Sequence, residues 1–508
     1  MRSPEQGWDV IVIGAGLGGL SAAATLARRG LRVLVLEQHV YAGGYAHHFL
    51  RRVRGTRTVY DFDVALHQTG DLAPGRRMHA ALAEIGVLDR IELIRFPVVY
   101  RTRGPAHELV VPADADAYQA RLCELFPDQR TGIRDLFAAL RRADGGPADR
   151  LELPQEALAW MGRSWREVVR AHVGDERFEA IFSQLWSYLG EVPERLCAFT
   201  FAQLWCSFHM GGCFYVAGGG QALSDAFVAV IREHRGEVRL RAPVTQILTE
   251  GGRVVGVETP RERFRAPVVV SNAAAPLTFH QLLDRPDLAE ADRVVADGLP
   301  LSPSIHETYI GMRGDAAALG LPDRVLFVEP GYDLDAQWEA LQSGDYRAQG
   351  LVLGNHNLSD PGHVPAGRSV LNAATLADGR HWIDLGEGEY RERKRELEAY
   401  FIERLAAGIP DLRERIEVCE TGTPHTMRRY SWNPGGAIYG YAITPTSHSV
   451  LRPQPRTSVP GLYLAGAWTF PAAGFQGAMH SGHHTADLVC QDLEVGATVG
   501  AAAEAAAP

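Results

Sequence analysis

At 508 residues the chain has room for roughly two to four domains and a large core. Its hydrophobic content of 46% and charged content of 22% are those of a globular protein, and a net charge of −10 without a basic stripe excludes nucleic acid as the main partner. Six cysteines with neither a C-x-x-C pair nor regular spacing read as free thiols in a reducing compartment. Met1–Trp8 lacks the layout of a signal peptide, and no apolar run approaches the roughly twenty residues of a membrane helix. A cytoplasmic location is therefore expected, with peripheral attachment to a bilayer left open.

The first organised stretch is DVIVIGAGLGGLSAAATLARRGLRVLVLE, residues 9–37. Val10–Ile13 has the continuous apolar character of a strand buried on both faces. Gly14, Gly16 and Gly19 follow as G-x-G-x-x-G, which suits a tight turn, close approach of a pyrophosphate, and close packing of the next helix. Leu20–Arg29 reads as that helix, Arg32–Leu36 as the second strand, and Glu37 stands where a carboxylate accepts hydrogen bonds from an adenosine ribose. Gly43 and Gly44 offer a second backbone approach beside the phosphate turn.

Residues 49–63 read as a hairpin bent at Gly55, with Arg51, Arg52, Arg54 and Arg57 on a solvated face. His67 follows in the segment DFDVALH. Residues 70–212 carry no second nucleotide fingerprint, and Val98–Val111 reads as an edge hairpin. The stretch from Phe178 to Tyr215 is unusually aromatic, which fits either a helical core or the lining of a tunnel for an apolar ligand. Gln221–His234 has helical periodicity, and Val268–Val270 reads as another buried strand. In the strand-like run Ser304–Met312, alternation puts Glu307 and Tyr309 on one side and His306 and Thr308 on the other. Leu462–Leu464 is a further buried strand, a helix starts near Gly474, and the alanine-rich end reads as a frayed tail. His480, His483 and His484 share a face with Asp487 and Gln491 and read as solvated, so no metal site is expected.

The N-terminal fingerprint, Gly43-Gly44, FYVAGGGQALSDAF, SNAAAP and GLYLAGAWTFPAAGFQGAMHSG together resemble the phytoene desaturase superfamily of FAD-dependent oxidoreductases, which includes carotenoid desaturases, carotenoid isomerases and retinol saturases. AGG followed by DFDVALH is most similar to the saturase and isomerase branch. The resemblance implies an α/β fold with a discontinuous Rossmann-type FAD-binding domain and an inserted α+β substrate domain. The FAD-binding segments would be 1–110, 213–275 and 419–492, the substrate segments 111–212 and 276–418, and the tail 493–508. It places the pyrophosphate at Gly14, Gly16 and Gly19, the ribose at Glu37, and the phosphates or ribityl chain near Gly43 and Gly44. Val244 would contact the adenine, and Gly466 and Ala467 the ribityl chain. Independently of the resemblance, free N–H groups at a helix start formed by Gly474, Phe475, Gln476 and Gly477 suit the negative charge that develops on a reduced flavin.

The implied substrate is a long, apolar, conjugated molecule: a carotenoid, retinoid or other polyene. Reduction of a double bond by hydride from flavin N5 plus a proton is the leading reading; desaturation, the reverse, and redox-neutral cis–trans isomerisation stay open. His67 is the leading proton donor, with Tyr309 and Glu307 as further catalytic candidates from a cavity-lining strand. NAD(P)H, a quinone or oxygen would exchange electrons with the flavin, and a dedicated second nucleotide domain is not expected. A non-enzymatic prenyl-binding protein is disfavoured, because every fingerprint glycine and Glu37 are retained.

Overall fold

A computed structural model describes residues 7–148, 153–471 and 473–505. Val10–Ile13 lies between Val33–Leu36 and Val268–Ser271, with Glu237–Arg239 and Leu462–Leu464 at the two edges of a five-stranded, wholly parallel sheet. The three central strands are buried along their whole length, which accounts for the runs VIVI, VLVL and VVVS. The strands come from widely separated regions of the chain. The dinucleotide-binding unit is thus α/β and discontinuous, as the glycine fingerprint and the later buried strands imply.

Helices cover this sheet. Leu17–Arg28 packs its small residues against both Gly219–Glu233 and the last helix, Gly474–Ala505. Gly482 makes the second contact possible: a β carbon there would lie 2.0 Å from the Gly18 carbonyl oxygen. The frayed tail expected from 493 is instead helical backbone through Ala505, in keeping with alanine's helix propensity, and 506–508 lie outside the described residues.

A second sheet of seven strands runs in the order Ile416–Gly422, Ser304–Arg313, Arg368–Ala377, Leu351–Asn355, Val325–Val328, Val98–Gly104 and His107–Pro112. Its neighbours are antiparallel except where Val325–Val328 meets Val98–Gly104. Residues 98–110, read from sequence as the end of the first FAD-binding segment, therefore belong to this other sheet, as its edge hairpin. The hairpin His48–Arg52 and Val59–Asp63 packs on the same sheet through Tyr60 and Phe62, which cluster with Tyr309 and Val370. Its outer arginines are exposed or half-exposed, and Arg51 pairs with Glu420 at 2.7 Å.

The aromatic stretch forms a helical core, and part of it also lines a cavity. Phe178, Phe182, Phe201 and Trp205 form a helical core with Phe137 and Trp165, whose ring stacks on Phe201 at 4.4 Å. Trp186, Tyr188, Phe199 and Phe208 instead face a large cavity. Among the described residues no helix is long and apolar enough to cross a membrane.

The helix contact at Gly482 is open to test. Gly482→Leu should lower stability by about 1–3 kcal/mol in denaturant titration, because the intruding side chain must force the first and last helices apart. Gly388→Ala, in an exposed helix where a β carbon meets nothing within 4 Å, should be neutral or stabilising.

Candidate active site

One continuous cavity of about 1040 Å³ touches both sheets. At its parallel-sheet end lie Gly14, Gly16, Leu17 and Gly18, with Glu37, Gln38 and Val244 beside them. Gly14 has φ +89°, a left-handed conformation that lets the chain leave the strand and enter the helix in one turn. Gly43 donates from its N–H to the Ala15 carbonyl at 2.7 Å, and a β carbon on Gly44 would sit 3.0 Å from the Gly16 Cα. The two glycine pairs therefore form one groove of bare backbone.

Glu37 is 7% exposed and accepts from the Ala15 N–H at 2.6 Å and the His39 N–H at 2.7 Å. Burial pushes its carboxyl above the usual range, and the two backbone donors oppose that shift. An ionised carboxylate accepts about four hydrogen bonds, so a ribose hydroxyl can share the same oxygens. On the other side of the cavity Gly474, Phe475, Gln476 and Gly477 form the first turn of the long last helix, with Ala467 next to them along the wall. This is the arrangement that FAD needs: a groove free of side chains for phosphate, a buried acid for ribose, and a helix N-terminus for the electron-rich edge of the flavin. Gly19 and Gly466 do not line the cavity; both serve close packing behind it. A β carbon on Gly19 would meet the Gly14 carbonyl oxygen at 2.1 Å, and one on Gly466 would meet Asn272 Oδ1 at 2.2 Å.

Where the cavity meets the seven-stranded sheet, its wall carries a connected polar cluster. Asn372 Nδ2 donates to Glu307 Oε1 at 2.7 Å and lies 2.6 Å from His67 Nε2. The Glu307 carboxylate only accepts, so the amide nitrogen must face it, and the same nitrogen then presents a hydrogen to His67. His67 Nε2 is thereby an acceptor, and its Nδ1 carries the proton toward the Tyr188 hydroxyl at 3.2 Å. Arg324 holds the backbone behind this ring, donating to the His67 carbonyl at 3.1 Å and to Gln68 Oε1 at 2.6 Å, with its guanidinium over the Phe96 ring at 4.0 Å. His356 stands 6.5 Å from His67, ring to ring, and is held down at about 3, chiefly by burial and then by the charges of His67 and Arg324.

The structure thus brings His67 and Glu307 together at the cavity wall and corrects the position of Tyr309. That residue shares the face with Glu307 but lies two residues further along. Its hydroxyl donates to the Val64 carbonyl at 2.8 Å within the aromatic cluster, and it does not line the cavity. The histidines of the last helix also differ from expectation, since none is simply solvated. His480 lines the cavity and is lowered to about 4, chiefly by burial; His483 approaches Thr25 Oγ1 at 3.3 Å; His484 packs on Phe470. Sequence reasoning missed Asn372 and Arg324 and named Tyr188 only as one aromatic among many. A lone amide in the apolar strand RSVLNAATLA was a readable signal for Asn372.

A family model for flavin-containing amine oxidoreductases matches residues 17–490. The all-trans-retinol 13,14-reductase of Danio rerio is 26% identical over 536 residues, covering 94% of this chain and 85% of that protein. Prolycopene isomerase 1 of an Oncidium hybrid cultivar is 26% identical, covering 96% and 84%. Among solved structures, an oxidoreductase from Methanosarcina mazei aligns with a TM-score of 0.65 at 18% identity, covering 94% of this chain and 99% of that one. Cyclohexylamine oxidase from Brevibacterium oxydans IH-35A aligns at 0.59 and 16%, covering 96% and 100%. At these identities the structural likenesses speak for the fold.

Glu37→Gln removes the charge and keeps an acceptor for one of the two backbone N–H groups. It should weaken FAD binding to the apoprotein at least about tenfold, and lower the apoprotein's stability by no more than about 1–3 kcal/mol, the cost of one unsatisfied backbone donor. Equal FAD affinity in a fluorescence titration would remove Glu37 from the ribose site.

Proposed function

The chain belongs to the family of flavin-containing amine oxidoreductases, and from that premise we propose that this FAD-dependent oxidoreductase reduces a carbon–carbon double bond in a long, apolar, conjugated substrate. The observation that carries this reading is the single cavity: its cofactor groove opens directly onto a chamber walled by Trp186, Leu189, Phe327, Val352, Leu376 and Ile438. Such a chamber excludes water and offers dispersion contacts along the length of an elongated molecule. The overall likeness to a retinol reductase and a prolycopene isomerase, across nearly the whole chain, supports the same substrate class.

Bound FAD supplies a hydride at its N5 atom. The residues of this chain provide the remainder. The first turn at Gly474–Gly477 lines the cavity, and a helix N-terminus there suits the negative charge that develops during transfer. His67 and Tyr188 are the adjoining wall groups able to hold and release the proton that the second carbon requires. Asn372 positions the imidazole and is itself positioned by Glu307. Around them the apolar walls keep solvent protons from reaching the reacting carbons except through these groups.

Anaerobic incubation of the photoreduced holoenzyme with a panel of polyenes, followed by mass spectrometry, tests the direction. A gain of two hydrogens is the expected product. Unchanged mass with altered chromatographic retention would replace reduction by isomerisation, and a loss of two hydrogens with oxidised enzyme would replace it by desaturation. His67→Phe should retain bound flavin with its normal absorbance and lose about 10²-fold or more in turnover. Wild-type turnover in that variant would remove His67 from the chemistry.

A further inference from the structure

Strand register sorts the residues on one face of the seven-stranded sheet into rows, the first of which lies beyond the cavity lining. Tyr309, Asn372 and Gly354 share one row, and Glu307, Ala374, Val352 and Phe327 the next. Two residues further along every strand lies a third row, which contains the pair Ile305 and Leu376 and, beyond the ladders of their own strands, Gly350 and Glu329. A β carbon on Gly350 would lie 2.6 Å from Glu329 Oε2, which fixes those two as neighbours. The rows holding Asn372 and Glu329 are four residues apart, about 13 Å along an extended strand. Glu307 belongs to the row between them; across the sheet from it toward Glu329 the lining includes the apolar side chains Phe327, Val352, Ala374, Ile305 and Leu376, with Gln349 and Thr375 at the same end as Glu329.

Glu329 is the ionisable group in the third row, and it lines the cavity. Its Oε1 accepts from Gln184 Nε2 at 2.6 Å and its Oε2 from Gln337 Nε2 at 2.8 Å. Neither amide is free to turn. Gln184 Oε1 accepts from the Thr102 hydroxyl at 2.9 Å, and Gln337 Oε1 from the Gly350 N–H at 2.9 Å. Each glutamine is therefore locked with its nitrogen toward the carboxyl group. Among the described residues no cation pairs with Glu329, whose carboxyl is pushed up by burial and drawn back only by the two amides. A carboxyl group with two fixed donors retains acceptor capacity toward the cavity.

We propose that Glu329, oriented by Gln184 and Gln337, is a subsite for the terminal hydroxyl of an elongated apolar substrate whose reacting double bond lies beside His67 and Tyr188. The subsite rests on the chamber being the substrate site of the reduction proposed above, and it names the substrate class more narrowly: a polyene alcohol rather than a hydrocarbon. A hydroxyl is favoured over an ammonium because the surrounding wall is apolar, where desolvating a cation costs far more than desolvating a hydroxyl and a buried ion pair regains little of that cost.

The test is binding without turnover. The oxidised holoenzyme is titrated, without any reductant, with three all-trans polyenes of equal length that end in hydroxyl, methyl or ammonium. The wild type should bind the hydroxyl form at least about tenfold tighter than the methyl form. That ratio should fall toward one in Glu329→Leu and fall measurably in Glu329→Gln, which keeps the volume should the leucine variant not fold. A wild-type ratio of one, an undiminished ratio in the folded variants, or tightest binding of the ammonium form overturns the subsite. Binding of none of the three overturns the chamber reading and the subsite together. A hydroxyl preference in an enzyme that reduces no polyene upholds the subsite and overturns the reaction alone.

Discussion

A β carbon on Gly18 would lie 2.5 Å from the Gly466 Cα atom and 2.6 Å from Asn272 Oδ1. At that point the first helix, the end of a central strand and the returning C-terminal segment meet with backbone against backbone. The contact joins residues from the two ends of the chain, and it is what makes one cavity out of several walls. The groove of bare glycine backbone belongs to the first segment, whereas the helix start at Gly474 belongs to the last. Any side chain at the junction would push these segments away from each other, and groups that must act on opposite ends of one cofactor would lose their spacing.

The cofactor half of the molecule was legible because its constraints are local. Gly14, Gly16 and Gly19 follow a buried strand and precede a helix, and Glu37 ends the next strand, so a single continuous stretch displays the whole logic. The substrate half is assembled from long-range pairings that leave little local trace. Val98–Gly104 reads as an edge hairpin, yet its partner strand is Val325–Val328, over two hundred residues away. His67 reads as a proton donor from its place after a strand and from the family resemblance, without its partners. Its meaning comes from Asn372 and Tyr188, which three separate chain segments bring within hydrogen-bonding distance. Tyr309 shows the converse: a residue two places from Glu307 on the same face is diverted into packing by a hairpin that covers that region of the sheet.

The polar side chains around His67 are mutually restrained. Glu307 dictates the orientation of Asn372, which in turn dictates the tautomer of His67. A free imidazole in an apolar wall would sample both tautomers and several rotamers, and each wrong one would present the wrong atom to a substrate. Burying this cluster costs desolvation, offset by hydrogen bonds among its members. What results is a defined chemical polarity around the His67 imidazole.

The seven-stranded sheet has a further consequence as the floor of the chamber. Residues facing one side of a strand recur every second position, so functional groups on that floor can be placed only at intervals of about 7 Å along the strand direction. The sheet is in effect a graduated scale, with Asn372 on one mark, Ala374 beside Glu307 on the next and Leu376 on the third. Moving a polar residue by two positions shifts the contact by one whole graduation on the same face, whereas moving it by one turns it toward the sheet's other face. Selectivity for where along a chain a reaction occurs can therefore change in discrete steps, through substitutions at alternate positions of a single strand.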